Sequence, residues 1–220
     1  MGLWALLVLL LSLTTGCAGT SDYMRPTLAP LDALPPPGTA AVVFVRPSGW
    51  FYSVVMTILD DQGRFIGDST ADSCFAVPVP AGKHLFIGWA ENTAALQADL
   101  APGRVYFVEV APRLGWWTAR VQLLAVTPHS EQWGKLKEWV SDCDKFRADE
   151  AGGQAYLNSR RDAAAEHVRR GKEKLGEYDG EELEARTLRP NDGVAPTLYA
   201  PPFAAPPPAA LPPAPPPPPQ

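Results

Sequence analysis

Apolar positions follow three distinct patterns along the chain. Residues 3–13 are almost continuously apolar. A stretch that short reads as the core of a signal peptide and not as a bilayer span. Between residues 39 and 127 the apolar runs are brief and rich in β-branched side chains, at 41–45, 52–59, 64–66, 74–79, 83–89, 104–110 and 120–126. Turn signals separate them: Asp60-Asp61-Gln62-Gly63, Gly67-Asp68, Pro80-Ala81-Gly82 and Ala101-Pro102-Gly103. Six or seven short strands at this spacing predict a mainly β, antiparallel sandwich. The half-polar faces of the alternating runs argue against a buried parallel sheet.

Beyond residue 128 the period lengthens. Trp133, Leu136, Val140 and Cys143 recur at helical spacing, Trp139 and Phe146 widen the stripe, and Ser130 stands ready as a cap. Gly152-Gly153 is expected to end this helix. A second helix is predicted over 154–178, with a thin stripe of Tyr156, Ala164, Val168, Gly171 and Leu175. Arg189-Pro190-Asn191-Asp192-Gly193 ends the helical region. Charge density changes at the same place: 13 of 89 residues are charged in 39–127, and 27 of 64 in 129–192. Residues 195–220 contain 13 prolines and no charge, the composition of a disordered spacer or of a ligand for a groove that reads polyproline II. Five segments follow: a signal peptide (1–16), a tether (17–38), a β-sandwich domain (39–127), a charged helical region (129–192) and a proline-rich tail (193–220).

The sequence Thr14-Thr15-Gly16-Cys17 resembles the bacterial lipobox. The resemblance implies cleavage before Cys17, fatty acylation of that residue (palmitate-type chains), and a mature protein held at the cell membrane. Ala18 in the following position favours the outer membrane, facing the periplasm. Two or more acyl chains give stable anchoring. Of three cysteines this leaves Cys74 and Cys143, which in an oxidising compartment form either a bridge or two separate buried thiols. The net charge of −5 and the absence of a basic block exclude nucleic acid as a partner.

The order of signals in 39–127 carries a further resemblance. An apolar strand ends in Arg46. Asp61-Gln62-Gly63 and Ile66-Gly67-Asp68 follow, then Pro80-Ala81-Gly82-Lys83-His84 and Pro102-Gly103-Arg104-Val105-Tyr106-Phe107. This resembles an uncharacterised bacterial lipoprotein domain with a transthyretin-like, PEGA-like β-sandwich. It implies a non-catalytic envelope domain and brings no catalytic residues with it.

Candidate chemistry is sparse. Cys74 and His84 fall on neighbouring predicted strands and would serve as nucleophile and base if they met. Asp60 and Asp61 are paired carboxylates in a turn. The run from Asp68 to Asp72 offers oxygen ligands without the spacing of a calcium loop. His84, His129 and His167 are too dispersed for a zinc site, and no glycine-rich phosphate loop exists. No cofactor or metal is expected. Trp50, Trp116 and Trp117 lie in predicted loops, where they either contact a glycan, peptide or membrane interface or plug the ends of the sandwich. Arg160, Arg161, Arg169 and Arg170 are interleaved with acids, as on a solvated face. The expected function is a non-enzymatic envelope lipoprotein with a structural or protein-interaction role. The alternatives are a glycan- or peptide-binding module using Trp50, Trp116 and Trp117, and a Cys/His hydrolase.

Overall fold

The computed structural model of the chain describes residues 19–31, 34–47, 53–114 and 119–196. Among them the strands are, in chain order, β1 (Met24–Pro26), β2 (Thr39–Arg46), β3 (Met56–Leu59), β4 (Phe65–Ser69), β5 (Ser73–Pro80) and β6 (Gly82–Trp89). Then come β7 (Thr93–Leu100), β8 (Val105–Leu114), β9 (Ala119–Val126), β10 (Asp144–Ala148) and β11 (Thr187–Leu188). The helices are α1 (Trp133–Asp142), α2 (Glu150–Ser159), α3 (Arg161–Glu177) and α4 (Gly180–Glu184). The fold is mainly β. One sheet has the order β1-β10-β5-β2-β8-β9 and the other β11-β7-β6-β3-β4.

Both sheets are mixed, so the expectation of an antiparallel sandwich is corrected. β2 pairs parallel to β8, β10 parallel to β5, and β11 parallel to β7. The reason lies in β2. Its sequence, Thr-Ala-Ala-Val-Val-Phe-Val-Arg, is buried from Ala40 to Arg46. Val42 and Phe44 point between the sheets, into a core with Phe75, Met56, Ile58, Phe86, Leu96, Tyr106 and Val108. Val43 and Val45 point outward, into a second cluster with Val105, Phe107 and Leu136 of α1. A strand covered on both faces carries the continuous apolar run typical of parallel pairing.

The change in composition at residue 128 is not a boundary of the core. Residues 144–148 leave the predicted helix and insert as β10 between β1 and β5. Cys143 ends α1 and is joined to Cys74 by a disulfide, with a Cα–Cα separation of 5.9 Å. Phe146, at register with Phe75, then packs against the inner core. Ser130 does not cap α1. It closes a turn with Thr127 instead, and the helix starts after Gln132 without a side-chain cap.

The predicted tether is corrected as well. Met24 and Leu31 are buried, and β1 pairs antiparallel with β10. Gly152-Gly153 also fails to break a helix: both lie inside α2. Gly153 brings that helix so close to β4 that a Cβ there would stand 2.2 Å from the Phe65 ring. Gly171 of α3 approaches Ile87 of β6 in the same way. These two contacts seat α2 and α3 on the outer face of the second sheet, over Leu59, Phe65, Ile87 and Ala95. Gly82, at φ +119°, turns β5 into β6, a conformation that disfavours any side chain. The C-terminal strand is locked by Tyr106, whose hydroxyl accepts from the Ala101 N–H and donates to the Pro190 carbonyl. The tail beyond residue 196 lies outside the described residues, as do residues 1–18.

Replacing Gly153 by Ala adds helix propensity worth about 1 kcal/mol but drives a methyl group into Phe65. The expected result is a net loss of about 1–3 kcal/mol. Urea denaturation of Gly153→Ala beside the wild type measures it. Reducing the disulfide, whose partners are 69 residues apart, is expected to cost about 2–4 kcal/mol in the same experiment.

Candidate functional site

One end of the molecule gathers several chain segments. β4 ends at Ser69 and β5 begins at Ser73, so the two sheets share this end. β2 leaves it at Arg46, and β8 and β9 join around it. Gly19, the first described residue, reaches the same end and lies beside Thr70, Ala71 and Asp72.

The N-terminal segment closes one wall of a cleft of about 530 Å³ here. Its other walls come from residues 53–55, from Thr57 and Asp68 on β3 and β4, from Trp89 at the end of β6 with Ala90 and Glu91 after it, and from Tyr156 of α2 with Arg160 just past that helix. Strand pairing sets the floor. Asp68 is the register partner of Thr57, and Thr57 of Trp89, so the three share one face of the second sheet. Tyr23 and Tyr156 pack ring to ring at 5.1 Å. Trp89 stacks on His167 of α3 at 4.5 Å, and Thr93 Oγ1 is 2.8 Å from His167 Nδ1. Arg160 lies over the Tyr156 ring at 4.9 Å.

Asp68 is the unusual group. It is only 5% exposed. Ser21 Oγ donates to its Oδ2 at 2.6 Å, across 47 residues of sequence. Its Oδ1 is buried with no hydrogen-bond partner among the described residues. Thr57, its register partner on β3, also eases the charge. Burial pushes the Asp68 carboxyl above the usual carboxylate range, and the Ser21 and Thr57 hydroxyls oppose that rise. Burial likewise lowers the His167 imidazole, with Arg170 adding to the effect and Glu166 opposing it.

The residues singled out from sequence are mostly not brought together. Cys74 is bonded to Cys143 on the outer face of the first sheet, so its sulfur is not a free nucleophile. His84 is on the second sheet, its Nε2 2.7 Å from the Pro80 carbonyl. Asp60 is spent on its own turn: Oδ1 accepts from the N–H groups of Gln62 and Arg64, at 2.9 and 2.8 Å, while Asp61 is exposed. Asp68 and Asp72 do not converge. Asp68 is buried under the N-terminal segment, and Asp72 is exposed at the turn tip with φ +49°. Among the described residues no group of three His, Cys, Asp or Glu is placed to hold a metal ion. Arg169 and Arg170 bind Glu166, and Arg169 also binds Glu173, on the exposed face of α3. Hydrogen bonds from Arg169 and Arg170 hold Glu166 at about 2.

Cys17, Trp50, Trp116 and Trp117 lie outside the described residues. The strand ends that bound the two tryptophan-bearing segments, Arg46, Leu114 and Ala119, are at the same end as Gly19. Tyr23 and Trp89 were not candidate site residues in the sequence reading, and Tyr156 stood there only in a helical stripe. Their meeting depends on contacts between distant segments, for which no local pattern exists. The chain matches no known family model, no curated protein and no solved structure.

The folded chain holds the Asp68 proton above the ordinary value of 3.8. Just above that pH the native state therefore binds more protons than the unfolded state, and stability falls as pH rises. The fall ends once the folded value is passed. Asp68→Asn removes this contribution. Denaturation between pH about 3 and about 8 is expected to show the variant gaining on the wild type as pH increases.

Proposed function

We propose that the chain is a non-enzymatic lipoprotein of a bacterial envelope, acylated on Cys17, that holds its β-rich body against the membrane and binds a partner there. The disulfide between Cys74 and Cys143 carries this reading. Disulfides persist in oxidising compartments outside the cytoplasm. The bridge also uses two of the three cysteines and leaves Cys17, the one that follows the lipobox-like Thr14-Thr15-Gly16.

The N-terminal geometry supports the same reading. Ser21 is bonded to Asp68 and β1 begins at Met24, so only Ala18, Gly19 and Thr20 separate Cys17 from the folded body. Fully extended, that link spans at most about 14 Å. An acyl anchor on Cys17 therefore presses one chosen end of the body toward the headgroups, where a long tether would let it tumble. Among the described residues no helix is long and apolar enough to cross a membrane. The transthyretin-like resemblance of residues 39–127 belongs to this proposal as a family relation of an envelope module, with the parallel strands as its departure.

Mass spectrometry of the mature N-terminus from the membrane fraction tests the anchor. A diacylated or triacylated Cys17 that disappears in Cys17→Ser, with the variant released to the soluble fraction, is the expected outcome. An unmodified Cys17, or a mature chain that begins downstream of it, overturns the proposal.

A further inference from the structure

We infer that the proline-rich tail of this chain, residues 197–220, docks through Leu198 and Tyr199 into an apolar groove on the outer face of the first sheet. The groove has a volume of about 280 Å³. One wall is the segment between Thr27 and Pro36, with Leu31 and Leu34, and the other is Ala76 and Pro78 of β5. Arg147 is the one charged group among the described residues that line it. The large apolar side chains left exposed among the described residues are Leu28 and Leu34, and both belong to that first segment. Apolar surface gathered beside a groove marks a place that another segment covers.

The position of Val194 identifies the occupant. Pro78 is the register partner of Ala41, Ala41 of Val105, and Val105 of Val194. The four stand in one row across the sheet, so Val194 is three strand spacings, about 14 Å, from Pro78. Val194 also shares a cluster with Leu31 and Ala41, which line the groove. Its bridge to Val105 is antiparallel, so the chain leaves Val194 toward the Arg104 end of β8. Pro36 is at that end: the Gly103 N–H donates to the Thr39 carbonyl, and the Thr39 N–H to the Pro36 carbonyl. Leu198 is four residues beyond Val194, a reach of about 13 Å when extended. Leu198 and Tyr199 are therefore the first large apolar side chains able to enter, and Pro201-Pro202-Phe203 follow them. The tail carries no charge, which suits a groove walled by Pro30, Pro35, Pro36 and Pro78. A proline-rich segment loses little entropy on docking. The short link from Val194 also keeps it at an effective concentration of about a millimolar. This inference goes beyond anchoring at Cys17 and does not rest on it.

Photo-cross-linking of the detergent-solubilised full chain tests it, with Tyr199→benzoylphenylalanine as the probe. Mass spectrometry of the digest is expected to join position 199 to residues 28–36 or to residues 76–78 of the same chain. Leu34→Asp changes an exposed side chain, so the core stays intact. It sets a carboxylate against the docked tail and is expected to lower the cross-link severalfold. Two-dimensional NMR reads the same contact without the probe. The double substitution Leu198→Ser, Tyr199→Ser is expected to shift the amides of Ala41, Ala76 and Val77 and to leave those of Thr57 and Ile58 in place. The inference is overturned if the cross-link falls elsewhere on the body or survives Leu34→Asp undiminished. It is overturned equally if the cross-link joins two copies in proportion to concentration, which assigns the groove to a second chain, or if the double substitution leaves the groove amides unmoved.

Discussion

β2 has no face to give to water. Phe44 and Val42 face the second sheet, and Val43 and Val45 face outward. A strand of this kind is stable only when two separate layers cover it, at about 25 cal/mol for each Å² of apolar surface removed. The inner layer is the second sheet, formed by β3, β4, β6 and β7 with β11 at its edge. The outer layer has to come from elsewhere in the chain. Leu31 and Val194 supply part of it, and α1 supplies more through Leu136, with Trp133 and Trp139 beside it. The charged C-terminal half is thus recruited to the core by the outward-facing Val43 and Val45.

Once α1 is seated, the path of the following chain is restricted. Cys143 is bonded to Cys74 at the start of β5, and the next residues have a free sheet edge beside them. They fill it as β10, and the chain then crosses to the outer face of the second sheet as α2 and α3. Gly153 and Gly171 allow both helices to approach closely enough for Leu157 and Ala164 to join the cluster around Phe65 and Ile87. The position of Tyr156 and His167 over Thr57, Asp68 and Trp89 follows from that seating. The cleft is therefore a by-product of how the two outer layers are laid down, and its aromatic and acidic groups come from four separated stretches of sequence.

Legibility in the sequence tracked the locality of the interactions. β2, β5, β6, β8 and β9 were readable because β-branched runs between Pro and Gly turns state their own conformation. β7 was missed: Thr-Ala-Ala-Leu-Gln-Ala-Asp-Leu is rich in residues that favour helices, and only pairing along the whole of β6 makes it a strand. β10 was absorbed into a predicted helix because Phe146 extends the helical stripe of Trp139 and Cys143. β1 looked like tether because Pro26 and Pro30 dominate its surroundings, while its partner lies more than a hundred residues away. In the cleft, Asp68 attracted notice as an oxygen ligand in a turn. Its burial by Ser21 and its unpaired oxygen are tertiary facts, invisible to spacing.

The placement of β1 has a consequence for the order of events during biosynthesis. Its register is entirely with β10, at Ala148, Arg147 and Phe146. β1 thus has no backbone partner until the chain has been made as far as Ala148, about two-thirds of its 220 residues. Through that interval the stretch around Met24 lacks its strand partner. Closure of this edge of the first sheet is therefore set by the distance along the chain between two strands that lie side by side.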